Sequence, residues 1–303
     1  MKKIILTLTL PLLLAAQACH SGKSPEKEVQ SLLQQHLTQW QADGGSVLVI
    51  DTAGQVVISE NWEADGAGAY RKTGNHTFST PAQMGSLLMP FALIPALEDS
   101  LVCWNDTVEL ADNTFRYDGV QVTDAPTVAL FPGRRSLQDV VVASSGAGIS
   151  KVMTDLYSKQ PMMLTQKLKL IRINGVPSPD DTPTFLGVGQ GYGVTMTPVE
   201  MLSFYYTVSK NDTTLCSAAT MNGIREILSR TVTERLEPGT VSAAGKTGTV
   251  VSGEAVQSLF CGYFPADAPR YTCLVRVDNP QTPDPETAAG NLFRQVAALL
   301  AAE

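Results

Sequence analysis

The placement of β-forming residues constrains the fold most. They are concentrated near the two ends of the chain, with helical periodicity between them. Residues 46–51 and 55–59 are rich in Val and Ile and are separated by Thr52-Ala53-Gly54, which predicts a hairpin. Residues 241–251, 257–264 and 271–277 form a second β-rich group, with a turn at 265–270. Ahead of the first hairpin, Val29, Leu32, Leu33, Leu37 and Trp40 recur at helical spacing, and residues 287–302 close the chain as a helix. Between the β-rich groups, residues 86–98 (despite Pro90 and Pro95), 136–143, 151–175, 198–209 and 217–229 are expected to be helical. Residues 60–85 and 176–193 are expected to be loops. This order predicts an α+β fold: an antiparallel sheet built from both chain ends and flanked by helices, with an inserted helical subdomain.

The chain has 303 residues, 44% of them hydrophobic and 17% charged, which is the composition of a globular protein. A net charge of −7 argues against a nucleic-acid partner, whose phosphates select basic faces. The first residues look like an export segment. Lys2 and Lys3 precede an apolar run over 4–14, too short to span a bilayer, and Ala16-Gln17-Ala18 stands just before Cys19. Two processing routes fit. Cleavage before Cys19 gives a periplasmic lipoprotein held to the membrane by a lipidated Cys19. Cleavage after Ala-x-Ala gives a soluble periplasmic protein. Either way, residues 1–18 are expected to be a signal peptide and 19–43 a tether plus an N-terminal helix, with the main domain over 44–303. Roughly 285 residues then remain, enough for one large domain. Four further cysteines stay in an oxidising compartment: Cys103, Cys216, Cys261 and Cys273. Cys261 and Cys273 lie on two strands joined by a turn, so a cross-hairpin disulfide and two buried free thiols both fit. There is no CxxC and there are three histidines, so neither a metal nor a cofactor is expected.

The most informative short segment is Gly245-Lys246-Thr247-Gly248-Thr249. A phosphate loop would need a glycine at position 240, which is Thr240, and a helix opening after the lysine, where the residues are strand-like. The flanks suit instead the Lys-Thr-Gly strand of serine acyltransferases that act on D-Ala-D-Ala peptides and β-lactams. An edge strand there lets a peptide add as a further strand, and Gly248 allows close backbone approach. Lys246 adds positive charge, and Thr247 and Thr249 can meet a carboxylate.

From about Gly44 to Ala302 the chain resembles the transpeptidase domain of penicillin-binding proteins. Gly45-Ser46-Val47-Leu48-Val49-Ile50-Asp51 is similar to the family's opening hairpin. Gly191-Tyr192-Gly193-Val194-Thr195-Met196-Thr197-Pro198 is similar to a segment that precedes one of its helices, and Gly262-Tyr263-Phe264-Pro265-Ala266-Asp267 to a later hairpin. The family's first motif, Ser-x-x-Lys, matches Ser86-Leu87-Leu88-Met89: the nucleophile position is Ser86, and the lysine position is Met89. The second, Ser-x-Asn, matches Ser144-Ser145-Gly146: the serine is kept, and the asparagine position is Gly146. Ser24-Pro25-Glu26-Lys27 and Ser209-Lys210-Asn211 fit the two patterns by composition but fall far from the expected places.

The resemblance implies Ser86, Ser144 and Lys246 as catalytic positions, Thr247, Gly248 and Thr249 as substrate-binding positions, and Met89 and Gly146 as degenerate ones. A serine hydroxyl is a weak nucleophile without a base, and Met89 cannot be one. Backbone donors at Ser86 and Thr249 do not depend on side chains and would survive. Three functions follow. The first is a catalytically impaired pseudoenzyme that binds peptidoglycan stem peptide or a cell-wall synthesis protein. The second is an active D,D-transpeptidase or D,D-carboxypeptidase acylated by penicillin at Ser86. The third is a protein-only scaffold.

Overall fold

The computed structural model describes residues 24–176 and 187–302. The expected export segment, Cys19 and most of the loop expected at 176–193 lie outside the described residues. Helix α1 (Pro25–Gln39) is followed by strands β1 (Gly44–Asp51), β2 (Val56–Ala64) and β3 (Tyr70–Lys72). The short helix α2 (His76–Ser79) and the two-residue strand β4 (Ala82–Gln83) lead to a single 3-10 turn, Gly85–Leu87. Helices α3 (Met89–Ala92) and α4 (Ile94–Glu98) come next, then the small strands β5 (Thr107–Leu110), β6 (Thr114–Tyr117), β7 (Val120–Thr123) and β8 (Gly133–Ser136). Helices α5 (Leu137–Ala143), α6 (Gly146–Tyr157) and α7 (Pro161–Leu170) precede β9 (Thr195–Met196). Helices α8 (Pro198–Ser209) and α9 (Ala218–Arg235) lead to β10 (Ala244–Ser252), β11 (Ala255–Phe264), β12 (Tyr271–Asp278) and the closing helix α10 (Ala288–Ala301).

The main sheet has the order β10-β11-β12-β1-β2-β3. Strand β12 pairs antiparallel with β1 in an unbroken register from Gly44↔Asp278 to Asp51↔Tyr271, so the two chain ends share one sheet. Strand β10 lies at an edge. Both faces are covered, and the alternation expected of a strand appears as a choice between two cores rather than between core and solvent. Val47, Val49, Phe260, Val275 and Val277 face α1 and α10, where they meet Leu33, Leu37, Leu292, Phe293 and Val296. Leu48, Leu259, Cys261 and Leu274 face the helical region, where they meet Leu87, Met89, Phe91, Met201 and Tyr205.

Three departures from the sequence expectations have local causes. The segment 86–98 is broken into the 3-10 turn, α3 and α4, because Pro90 and Pro95 each sit in a helical first turn and restart the helix. The helix expected over 151–175 is two helices, with Pro161 opening the second. The expected loop 60–85 carries the rest of β2, together with β3, α2 and β4. Its polar strand residues are satisfied locally, with Glu60 buried and paired to Lys72 Nζ at 2.7 Å and to Trp62 Nε1 at 2.6 Å.

The register also decides between the two arrangements of Cys261 and Cys273. Cys261 stands opposite Leu274, and Cys273 opposite Gly262, so the two side chains leave opposite faces of the sheet and enter different cores. A disulfide between them is excluded, and all four described cysteines are free. We expect a chain beginning at Ser24 to show one readily modified thiol when native, from the exposed Cys103, and four after denaturation without reductant. Two thiols in the denatured sample would contradict this register.

Candidate functional site

The site is assembled where the 3-10 turn carrying Ser86 meets strand β10. The approach is backbone to backbone. Gly85 has φ +52°, and a Cβ on it would stand 2.4 Å from the Thr249 carbonyl oxygen. A Cβ on Gly248 would stand 2.8 Å from the Met84 carbonyl oxygen. The turn is held from behind by α8, whose buried Tyr205 donates its hydroxyl to the Leu87 carbonyl at 2.9 Å. Strands β4 and β9 pair through Ala82↔Met196 and Gln83↔Thr195, which brings the chain before Ser86 beside the chain before Thr197. Helix α8 then starts on a capping box made by Thr197 and Glu200.

Ser86, Ser144, Gly146, Thr247, Gly248 and Thr249 line one cavity of about 180 Å³. Lys246 stands behind its wall. The register places it opposite Cys261, so its side chain enters the helical region, and it is fully buried. Its Nζ donates to Ser144 Oγ and, at 3.2 Å, to the Thr247 carbonyl. Ser144 Oγ also lies 3.5 Å from Thr247 Oγ1. Met89 is fully buried in the core beneath the turn and does not reach the cavity. No hydrogen bond joins Ser86 Oγ to another described side chain.

Ser144 and Ser145 have separate tasks. Ser144 ends α5 in the left-handed conformation, φ 63°, which turns its hydroxyl toward Lys246. Ser145 caps α6: its Oγ accepts from Gly148 N at 2.9 Å and donates to Asp124 Oδ2 at 2.5 Å, while Asp124 Oδ1 accepts from Ala147 N at 2.9 Å. Burial raises the Asp124 carboxyl above its ordinary value, against the hydrogen bonds that favour its charged form.

Several lining residues were not anticipated from sequence. Asp124, Gln190, Tyr192 and Arg235 all border the cavity. Arg235 Nη1 donates to the Thr127 carbonyl at 2.8 Å, and its Nε is buried without a partner among the described residues. Asp124 and Arg235 carry no local signal. Gln190 had one, its place between Gly189 and Gly191. The two accidental pattern matches are elsewhere: Ser24 precedes α1, and Ser209 ends α8, where Lys210 Nζ reaches the Thr52 carbonyl at 3.1 Å.

A serine, a buried lysine and a Lys-Thr-Gly edge strand converge on one cleft, between a two-ended antiparallel sheet and a helical region. That combination defines a serine-acyltransferase-like architecture. Residues 45–298 match the family described as "Penicillin binding protein transpeptidase domain", and the chain belongs to this family. It is 24% identical to the probable peptidoglycan D,D-transpeptidase PbpC of Pseudomonas aeruginosa over 78% of this chain and 49% of that protein. The chain thus spans about half the length of this curated relative. Among solved structures, a peptidoglycan synthetase from Bifidobacterium adolescentis superposes with a TM-score of 0.75 at 15% identity, covering 92% of this chain and 60% of the other. Penicillin-binding protein 3 from Mycobacterium tuberculosis, complexed with aztreonam, superposes with 0.73 at 21% identity, covering 92% and 77%. These likenesses show the fold.

Burial lowers the Lys246 amine from 10.5 to about 7; the Arg235 guanidinium pushes the same way, and Glu286 opposes it. Between about 7 and 10.5 the unfolded chain therefore holds a proton that the folded chain lacks. Stability should rise with pH across that window, by at most about 1.4 kcal/mol per unit, and be lost as pH falls toward 7. Urea unfolding of the wild type and Lys246→Met at pH 7, 8, 9 and 10 tests this. The stability difference should move in favour of the wild type as pH rises, and a constant difference would show that the amine is not depressed.

Proposed function

We propose that this protein is a catalytically impaired member of the penicillin-binding transpeptidase family that binds peptidoglycan stem peptide in the cleft beside β10. The observation that carries this reading is Met89. The position one helical turn after Ser86 is an uncharged side chain buried in the core, and the neighbouring amine, Lys246, is directed to Ser144. Ser86 therefore has no group placed to take its proton. General base catalysis typically contributes about 10²–10⁴-fold, so acyl transfer falls by at least that range. The features that support binding are the edge position of β10, the Thr247 and Thr249 side chains at the cavity, and the partly unsatisfied Arg235 cation at its rim. They suit an extended peptide ending in a carboxylate. The relative named above is a probable peptidoglycan D,D-transpeptidase, which favours a ligand of the same polymer or a partner that builds it.

The same proposal places the protein in the periplasm as a lipoprotein anchored through Cys19. The support is the basic start, the short apolar run and the small residues before that cysteine. No helix among the described residues is long and apolar enough to cross a membrane. Cys19→Ala should move the protein from the membrane fraction to the soluble fraction; retention in the membrane would reject the lipid anchor.

Intact mass spectrometry after incubation with benzylpenicillin tests the impaired site. The wild type should acquire no penicilloyl adduct, and Met89→Lys with Gly146→Asn should acquire one on Ser86. An adduct on the wild type that disappears in Ser86→Ala would overturn the pseudoenzyme reading.

A further inference from the structure

The turn before Tyr192 is built from Gly187-Val188-Gly189-Gln190-Gly191, and its glycines are spent on close packing. A Cβ on Gly189 would stand 2.7 Å from Ile149 Cγ1 of α6, and one on Gly191, where φ is +76°, would stand 2.1 Å from the Gly85 carbonyl oxygen. The turn is thus wedged between α6 and the Ser86 turn, with Gln190 at the cavity wall between them. The Gln190 side chain is oriented by α6: its Nε2 donates to the buried Ser150 Oγ at 2.9 Å. That hydrogen bond turns the other end of the carboxamide toward Gly146. A Cβ at Gly146 would meet Gln190 Oε1 at 2.8 Å and Val122 Cγ1 at 3.4 Å. The volume into which a side chain at position 146 would grow is therefore held by the amide oxygen of Gln190.

We propose that Gln190 supplies the amide that meets the backbone of an extended peptide lying against β10, in place of the side chain that Gly146 lacks. The inference rests on the peptide-binding reading above. The two walls of the cleft are then β10, with Thr247 and Thr249 on one side, and Gln190 on the other. An N–H of the peptide donates to Gln190 Oε1, and its terminal carboxylate is met at the threonine side. Gly146 is part of the same arrangement, because any larger residue there displaces the carboxamide. Gln190 is a positioning residue for a bound ligand and has no part in proton transfer.

The test uses the tripeptide diacetyl-L-Lys-D-Ala-D-Ala, titrated by calorimetry into the chain beginning at Ser24, with thermal unfolding of each variant as a control. Gln190→Met keeps the volume and removes the amide, and should weaken Kd roughly 5–10-fold, the worth of one hydrogen bond. Gly146→Ala leaves Gln190 in the chain but pushes its oxygen aside, and should weaken Kd to a similar degree. The double variant Gln190→Ala, Gly146→Asn, in which the smaller side chain at 190 leaves the space that one at 146 needs, returns an amide to the wall facing β10 and should recover most of the affinity. Wild-type affinity in Gln190→Met would overturn this inference and leave the binding reading standing. Weak binding in Gln190→Met that Gln190→Ala, Gly146→Asn does not restore would assign Gln190 to the fold alone and overturn it as well. No saturable binding by the wild type would remove both the binding reading and this inference.

Discussion

The contact on which the site depends is the approach of the Ser86 turn to strand β10, made possible by a glycine on each side. Gly85 and Gly248 face the opposing backbones, and Gly191 in turn packs on the Gly85 carbonyl. A methyl group at any of these positions would stand closer to a carbonyl oxygen than a real Cβ ever does, so each glycine is dictated by distance. At Gly85 and Gly191 a positive φ adds to the requirement. This three-layer contact holds Ser86, Thr247 and Thr249 at one cleft and draws the 187–191 turn in beside them. Tyr205, whose phenol is fully buried and bonded to the Leu87 carbonyl, fixes the turn from the other side. The geometry of the cleft is therefore set by backbone packing and does not depend on the side chains at positions 89 and 146.

Lys246 shows the cost of what persists. A fully buried amine is expensive to keep charged, and the hydroxyl and carbonyl that receive its hydrogen bonds offset only part of that cost. Its low pKa is the result. A lysine at position 89 would place a second amine in the same low-dielectric region, where like charges oppose each other and a shared proton is the usual outcome. With Met89 that repulsion is absent, and Lys246 answers to burial, Arg235 and Glu286 alone. The amine that remains bonds to Ser144 at the end of α5, so it ties β10 to the helical region across the cleft floor.

Most of the sheet was legible in the sequence because its strands are β-branched and its turns are short, and its assembly from both chain ends follows from the order of the elements; β3 and the end of β2, more polar, fell in an expected loop. The helices expected over 136–143 and 198–209 are found within a residue of those bounds, opened by capping boxes at Ser136 and Thr197 that the structure reveals. Proline positions were visible, but their effect was underestimated, since Pro90, Pro95 and Pro161 each start a new helix instead of interrupting a long one. The small strands β5 to β8 were missed because they are four residues long and half exposed, too short for a period to register. At the site, Ser86, Ser144 and Lys246 could be named from local patterns. Asp124 and Arg235 could not, since they reach the cleft through a helix cap and the last turn of α9; Gln190 had a local signal in its flanking glycines, but its place at the cleft depends on how that turn packs. Cys261 and Cys273 show the same limit, because a shift of one residue in register separates a possible disulfide from two thiols on opposite faces.

The distinction between binding and turnover follows from which groups act when. Groups that hold an extended peptide, such as an edge strand, hydroxyls for a carboxylate and an amide for the backbone, contact the ground state and the transition state about equally and supply uniform binding. The base that removes the Ser86 proton acts only as the new bond forms, so its loss lowers the rate without emptying the cleft. On the proposed reading, this chain differs from the family pattern mainly in the second kind of group. Met89 removes the base, while Gly146 removes an amide that serves both purposes and whose binding half Gln190 can supply from the neighbouring turn. On that reading, a cleft altered in this order can still bind a peptide reversibly, because the groups that hold the ground state do not depend on the base.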